Sequence, residues 1–210
     1  MNIKGFQLGV LGTNGYLVWP ENSTEAFFVD PGGYHKEVTN VIKEEGLTLK
    51  YIILTHGHYD HIGGVEQFMA DFPEAKLVAS KEEAELLKDP NINHSLRDLG
   101  TSISLTADVE VSDGDTLDVG GATLKIISTP GHTKGGISIY VENMLFSGDT
   151  LFRMSIGRTD LSGGDFPTLI ASIKNKLFVL PDDTQVLPGH MGFTTIEIEK
   201  QFNPYARGDI

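Results

Sequence analysis

The chain contains no cysteine, which excludes disulfide scaffolds, cysteine nucleophiles and thiolate metal ligands. It has no run approaching the ~18 consecutive apolar residues of a membrane span. The opening MNIKGFQLGV lacks the basic start, apolar stretch and small-residue cleavage site of a secretory signal, so a cytoplasmic protein without a membrane partner is expected. Positive charge is scarce: 16 Lys and Arg stand against 29 Asp and Glu, a formal net charge of −13. Nucleic-acid binders usually carry a basic face, and no nucleic-acid partner is expected. Low-complexity linkers are missing too, and 210 residues suit a single domain over 1–210 with a sizeable core.

Glycine, in contrast, is abundant, with 24 residues against a typical ~7%, which favours many tight loops over long helical bundles. NIKGFQLG, Gly15–Trp19 and Glu25–Asp30 read as strands punctuated by Gly12, Asn14, Pro20 and Asn22. Val38, Val41 and Ile42 mark one face of a helix over 35–45, with Gly46 just beyond it. Val65, Phe68, Met69 and Phe72 mark another helix, halted by Pro73. Lys76–Ser80 is a strand, after which Ser80 and Glu83 form a capping-box start for a short helix to about Lys88. Residues 89–107 are polar and weakly patterned, an excursion or lid. His94 within it, like His35, has no ligand-type neighbour in sequence and reads as an ordinary surface residue. Strands resume from Val109, and Asp165 caps a helix with Pro167 at an early position and Leu169, Ile170, Ile173 and Leu177 on its face. QVLPGH is a last short strand, and a final helix starts near Thr194 and fades before Pro204.

The segment that organises the rest is Tyr51–Gly64, YIILTHGHYDHIGG. An apolar run stops at Thr55, and His56, His58, Asp60 and His61 follow within six positions. A lone histidine is usually a satisfied core or surface residue; four ligand types this close are hard to explain as packing. Imidazole and carboxylate bind borderline divalent metals such as zinc. In extended chain, residues two apart point the same way, so His56 and His58 can grip one ion. A turn into helix swings Asp60 and His61 to the side, where they can serve a second. The pattern then echoes: in LKIISTPGHT, NMLFSGDT and QVLPGH an apolar strand ends in a small residue and a ligand type, His132, Asp149 or His190. Sites gather outside the carboxyl ends of strands in open α/β sheets, so the four ends are expected to converge. Seven candidate ligands are too many for one tetrahedral zinc but fit two ions sharing a carboxylate, ~3.5–4 Å apart. Two divalent ions are therefore expected, zinc first, with iron or manganese also suited to this N/O donor set.

THxHxDHxGG followed in order by TPGHT, SGD and PGH segments resembles the metallo-β-lactamase superfamily over nearly the whole chain. The resemblance implies an α/β fold, a four-layer αββα sandwich of two mixed sheets flanked by helices, with the site at one edge of the sheets. It implies His56, His58 and His132 on the first ion, Asp60, His61 and His190 on the second, and Asp149 between them. GTNGYLV, DPGG and LFRMSIGRTDLSGGD are similar to the short glyoxalase II-like proteins, of hydroxyacylglutathione hydrolase type. The GRTD element also resembles persulfide dioxygenases. The long glyoxalase II enzymes carry a helical C-terminal extension that helps hold glutathione. Only 20 residues follow His190 here, so those contacts are not carried over.

The activity implied is metal-dependent hydrolysis of a small acyl thioester such as S-lactoylglutathione, by a metal-activated hydroxide. The alternatives are an iron-dependent persulfide dioxygenase, and a lactonase or phosphodiesterase on the same scaffold. Asp149 and Asp60 are the carboxylates expected at the chemistry; Asp60 is a ligand first and a proton shuttle second. Asp30 either orients a ligand or is a turn residue. Arg158, Arg153, Lys134 and Arg207 are candidates for an anionic substrate, Arg158 preferred unless Asp160 pairs with it. Tyr16 and Asn14 are weaker candidates for the mouth of the site.

Overall fold

Runs of β-branched and aromatic residues with both faces apolar, such as Ala26–Val29 and Ile52–Ile53, suit strands covered on two sides. In the computed structural model, which describes residues 1–208, they form the first sheet. Its strands are β1 (Asn2–Leu8), β2 (Thr13–Trp19), β3 (Glu25–Val29), β4 (Thr48–Ile53), β5 (Lys76–Ser80) and β6 (Val109–Val111), in that spatial order. β1 to β3 are antiparallel, and β3 to β6 are parallel. Parallel neighbours require crossovers. These are α1 (Lys36–Glu44), then α2 (Tyr59–Ile62) with α3 (Val65–Asp71), then α4 (Ala84–Lys88) with α5 (Ser95–Asp98).

The second sheet contains β7 (Thr116–Val119), β8 (Ala122–Ser128), β9 (Ile137–Val141), β10 (Met144–Gly148), β13 (Gln185–Pro188) and β14 (Thr194–Thr195), ordered β14-β13-β10-β9-β8-β7. Between β10 and β13 the chain makes a two-stranded ribbon, β11 (Leu151–Phe152) and β12 (Ser155–Ile156). Helix α6 (Phe166–Ser172) follows, running into a π-helical turn at Ile173–Leu177. The chain ends in α7 (Ile196–Phe202) and α8 (Pro204–Arg207).

Three apolar layers hold this αββα sandwich together. Tyr16, Val18, Phe27, Ile53 and Val78 meet Leu124, Ile126, Ile139, Phe146 and Leu187 between the sheets, with the Phe27 and Phe146 rings edge-on at 5.9 Å. The alternate residues Leu17, Phe28, Ile52 and Leu77 pack outward on Val38, Ile42, Val65 and Phe68. On the far side, Ile127, Leu145 and Val186 pack on Leu169, Ile173, Leu177 and Ile196. The four-layer sandwich expected from the sequence is the fold observed. Among the described residues no helix is long and apolar enough to cross a membrane.

Several local expectations need correction. Asp165 caps α6 as expected, accepting from Thr168 N at 2.9 Å. Helix α7 also starts and ends where expected, capped by Thr195 and finished at Phe202 before Pro204, but α8 was not expected from the sequence: the Asn203 side chain starts it by accepting from Tyr205 N and Ala206 N. Ser80 does cap, accepting from Glu82 N, but Glu83 does not return the bond. Its carboxylate is buried elsewhere. Residues 89–107 are a tied-down wall, with Asn93 Nδ2 donating to Ile103 O and Leu105 N donating to Leu87 O.

Candidate metal centre

β8 is antiparallel to β9 and β9 to β10, while β10 and β13 are parallel. The carboxyl ends of β8, β10 and β13 therefore face one edge of the second sheet, and the end of β4 in the facing sheet meets them there. Seven side chains converge: His56 and His58 after β4, Asp60 and His61 on α2, then His132, Asp149 and His190. Their donor atoms group as His56–His58–His132 and Asp60–His61–His190, with His56, His61 and Asp149 forming an overlapping group, all within 4.8 Å in each set. Asp149 lies between: its oxygens are 3.3 Å from His61 Nε2, 3.7 Å from His132 Nε2 and 3.6 Å from His190 Nε2. Asp60 Oδ2 is 3.1 Å from His190 Nε2. Glycine makes this density possible. A Cβ on Gly189 would lie 2.5 Å from Asp149 Oδ1 and 2.6 Å from His61 Cε1.

Hydrogen bonds behind the cluster fix which ring nitrogens face inward. Asp30 is buried and accepts from Thr55 N (2.7 Å), Thr55 Oγ1 (2.6 Å) and His61 Nδ1 (2.9 Å). It thus directs His61 Nε2 into the centre, so of the two readings of Asp30 the structure supports the orienting one. Because the Thr55 hydroxyl proton goes to Asp30, its oxygen accepts from His56 Nδ1 at 3.1 Å, leaving His56 Nε2 inward. His132 Nδ1 donates to Arg158 O at 2.7 Å, leaving its Nε2 inward. Buried polar atoms are almost always paired, yet Nε2 of His56 and His61 and Oδ1 of Asp149 have no hydrogen-bond partner, while His58 meets the cluster through Nδ1, 2.9 Å from His132 Nε2. Ligand-type atoms gathered in this way fit divalent cations between them.

Without cations, the electrostatics of the two groups differ. Burial, reinforced by neighbouring imidazoles, holds His56 well below its ordinary value and takes His58 down to about 3. Burial acts on His61 in the same sense, but the carboxylates of Asp149, Asp60 and Asp30 outweigh it and raise His61 well above 6.5. Conversely, burial favours the neutral acid at Asp149 and Asp60, but His61 and His190 together, joined at Asp149 by His132, more than offset it, so both carboxyls lie below the usual range. Near pH 7, His56 and His58 therefore present free lone pairs, whereas His61 holds a proton that a cation must displace. Affinity at this half should rise as pH climbs towards the raised His61 value. Zinc titrated into metal-free protein at pH 7 should release about one proton from His61, read by calorimetry in buffers of different ionisation enthalpy. Heats independent of the buffer would count against a protonated His61.

The candidates for substrate binding fare unevenly. The centre opens into a cleft of about 670 Å³ lined by His58, Asp60, Arg97, Arg158, Leu11 and Met191 among others. Arg158 is there, but its guanidinium pairs with Asp160 at 2.7 Å. Lys134 instead lines a separate cavity beside Glu82 and Ser162. Arg153 is exposed, near Gly192 and outside the cleft. Arg207 donates to Gln201 O in the C-terminal helices. Tyr16 and Asn14 do not line the mouth; both donate to Pro188 O, and Asn14 also to Met191 O, anchoring the loop that carries His190. His35 is an exposed residue as expected, but His94 is not an ordinary surface residue, because it lines the cleft.

Two contributors escaped the sequence. Arg97 lines the cleft, paired with Asp98 at 2.7 Å. Glu83 is buried and accepts from Gly57 N, Thr133 Oγ1 and Gly135 N, tying the loop of His56 and His58 to the loop of His132. Burial outweighs these bonds and raises its carboxyl above 4.5. The Ser80-to-Glu83 spacing carried a capping signal and gave no hint of this role.

A His/Asp cluster of this composition, at the edge of an αββα sandwich, defines a protein built to hold divalent metal. A family model described as the metallo-beta-lactamase superfamily matches residues 8–190, and the chain belongs to that superfamily. It is 36% identical to a protein of Haemophilus influenzae named hydroxyacylglutathione hydrolase GloC, over 98% of each chain. It is 35% identical to probable metallo-hydrolase YqgX of Bacillus subtilis, over 99% of each. Among solved structures, BLEG-1, described as a B3 metallo-beta-lactamase, superposes with a TM-score of 0.91 at 40% identity, covering 98% of this chain and 99% of that one. ETHE1 from Myxococcus xanthus gives 0.81 at 30% identity, covering 99% and 85%. TTHA1623, in a di-iron-bound form, gives 0.84 at 31% identity, covering 96% and 99%.

Proposed function

We propose that this chain is a metal-dependent hydrolase of acyl thioesters of the hydroxyacylglutathione type. Its centre would hold two divalent ions, one through His56, His58 and His132, the other through Asp60, His61 and His190, with Asp149 shared. The observation that carries this reading is the pair of three-donor groups on either side of one carboxylate. The name of the Haemophilus relative supports the substrate class, and the di-iron form of TTHA1623 supports two ions.

When bound, such a pair lowers the pKa of a shared water towards neutrality and polarises a carbonyl oxygen. The residues of the chain supply the rest. Asp30 and the Arg158 carbonyl hold His61 and His132 in one tautomer each, so the centre needs little reorganisation. Asp149 and Asp60 stay ionised at neutral pH. Thr13 Oγ1 donates to Asp60 Oδ2 at 3.3 Å and fixes the oxygen that also faces His190. No dedicated acid is required for the leaving group, because a thiol of pKa ~8.5 departs readily as thiolate.

Zinc-loaded protein should release thiol from S-lactoylglutathione, contain two metal ions per chain, and prefer this substrate over a lactone, a phosphodiester and a β-lactam. Preference for any of the others would replace the thioester reading. The likeness to ETHE1, together with the GRTD element, favours a second reading, an iron-dependent persulfide dioxygenase. One iron per chain and oxygen uptake with glutathione persulfide would establish it instead.

A further inference from the structure

His94 enters the cleft from the N-terminal end of α5 and has no place in either donor group of the metal centre. Its ring lies parallel to that of His58, with centroids 5.8 Å apart and planes 27° apart. Its backbone is left-handed, at φ 68°, a conformation unfavourable for a residue with a side chain. Buried neighbours impose it. Asn93 is fully buried; its side chain donates to Ile103 O at 2.9 Å and accepts from Ser95 N at 2.9 Å. Ser95, also fully buried, accepts from Ile103 N at 3.0 Å. Asn93 O accepts from Tyr59 N at 2.9 Å, which ties the segment to the metal-binding loop itself. For all this support, His94 Nε2 is a buried atom with no hydrogen-bond partner. With its backbone held by these neighbours and its ring in the cleft beside His58, His94 is placed to meet a group that arrives with the substrate.

The cleft around it is divided in character. The 93–98 segment adds Arg97 to His94, while the β1–β2 turn and the stretch after His190 contribute Leu11 and Met191, both exposed apolar side chains. We propose that His94 contacts substrate, its imidazole hydrogen-bonding the polar limb of the leaving thiol, with the apolar side chains left for the acyl end. The inference rests on the thioesterase reading and names the residue that selects for a polar thiol.

Two esters of one acid separate the possibilities: S-acetylglutathione, with a polar thiol, and S-phenyl thioacetate, with an apolar one. His94→Ala should raise KM for the glutathione ester about tenfold, the loss of one well-placed hydrogen bond. Its kcat, its metal content and its KM for the phenyl ester should all stay within about twofold. His94→Asn, which tolerates left-handed backbone and keeps a polar amide, should recover part of the loss. Equal losses on both esters, with metal content falling, would reduce His94 to a brace for His58 and overturn the proposal. So would an unchanged KM on both esters. Inactivity of the unsubstituted protein on either ester would instead sink the thioesterase reading, and this inference with it.

Discussion

Asp149→Ala should abolish thioester turnover, with kcat reduced by at least about 10³-fold. Asp149 is the carboxylate that faces both donor groups, within 3.7 Å of His132 and 3.6 Å of His190 as well as 3.3 Å of His61. In the proposed centre, its loss would leave each cation one ligand short and remove the negative charge that would let two cations sit side by side. Metal-ion catalysis contributes several kcal/mol to barrier lowering, and each 1.36 kcal/mol is tenfold in rate. Elemental analysis should show fewer ions per chain in the variant than in the parent. Asp149→Asn keeps the shape and loses the charge, so it should resemble alanine in rate. Turnover unchanged in either variant would rule out the shared-carboxylate centre.

The second large effect is expected on stability, from a residue that touches no metal. Glu83→Ala leaves Gly57 N–H, Thr133 O–H and Gly135 N–H, all donors to Glu83 in the parent, buried without an acceptor. An orphaned buried donor costs about 1–3 kcal/mol, so the three together, with partial relaxation, should cost about 3–5 kcal/mol. For a chain of this size each kcal/mol lowers Tm by roughly 2–4 °C, and a fall of about 10 °C is expected in metal-free protein. Gly57 lies between His56 and His58, and Thr133 follows His132, so metal affinity should drop as well, by about 10-fold or more. Glu83→Gln should be milder, because one amide oxygen still accepts while the amide nitrogen faces a donor. A Glu83→Ala protein that melts with the parent would show that these loops are held by other contacts.

Glu83 also shows where reading the chain stops. Ser80 and Glu83 have the spacing of a helix cap, and that local signal is real as far as Ser80 goes. The partners of Glu83 lie 26, 50 and 52 residues away, and no local pattern announces them. His94 was silent for the same reason. Its neighbours in sequence are not ligand types, and the ring that faces it, His58, belongs to another crossover. Among the basic residues, sequence supplied charge but not direction: Arg158 reaches the cleft and Lys134 does not.

The sequence by itself gathered the candidate donors at strand ends, and its resemblance to the superfamily implied the sandwich. Ligand side chains clustered at strand ends are visible one segment at a time, and strands running the same way bring like ends to one edge of a sheet, while the packing of the two sheets brings the end of β4 to the ends of β8, β10 and β13. Only the tertiary structure decided which nitrogen of each histidine faces inward, which buried carboxylate braces the loops, and which imidazole waits in the cleft. Those are properties of hydrogen bonds between crossovers, set by packing distances that the chain order does not contain.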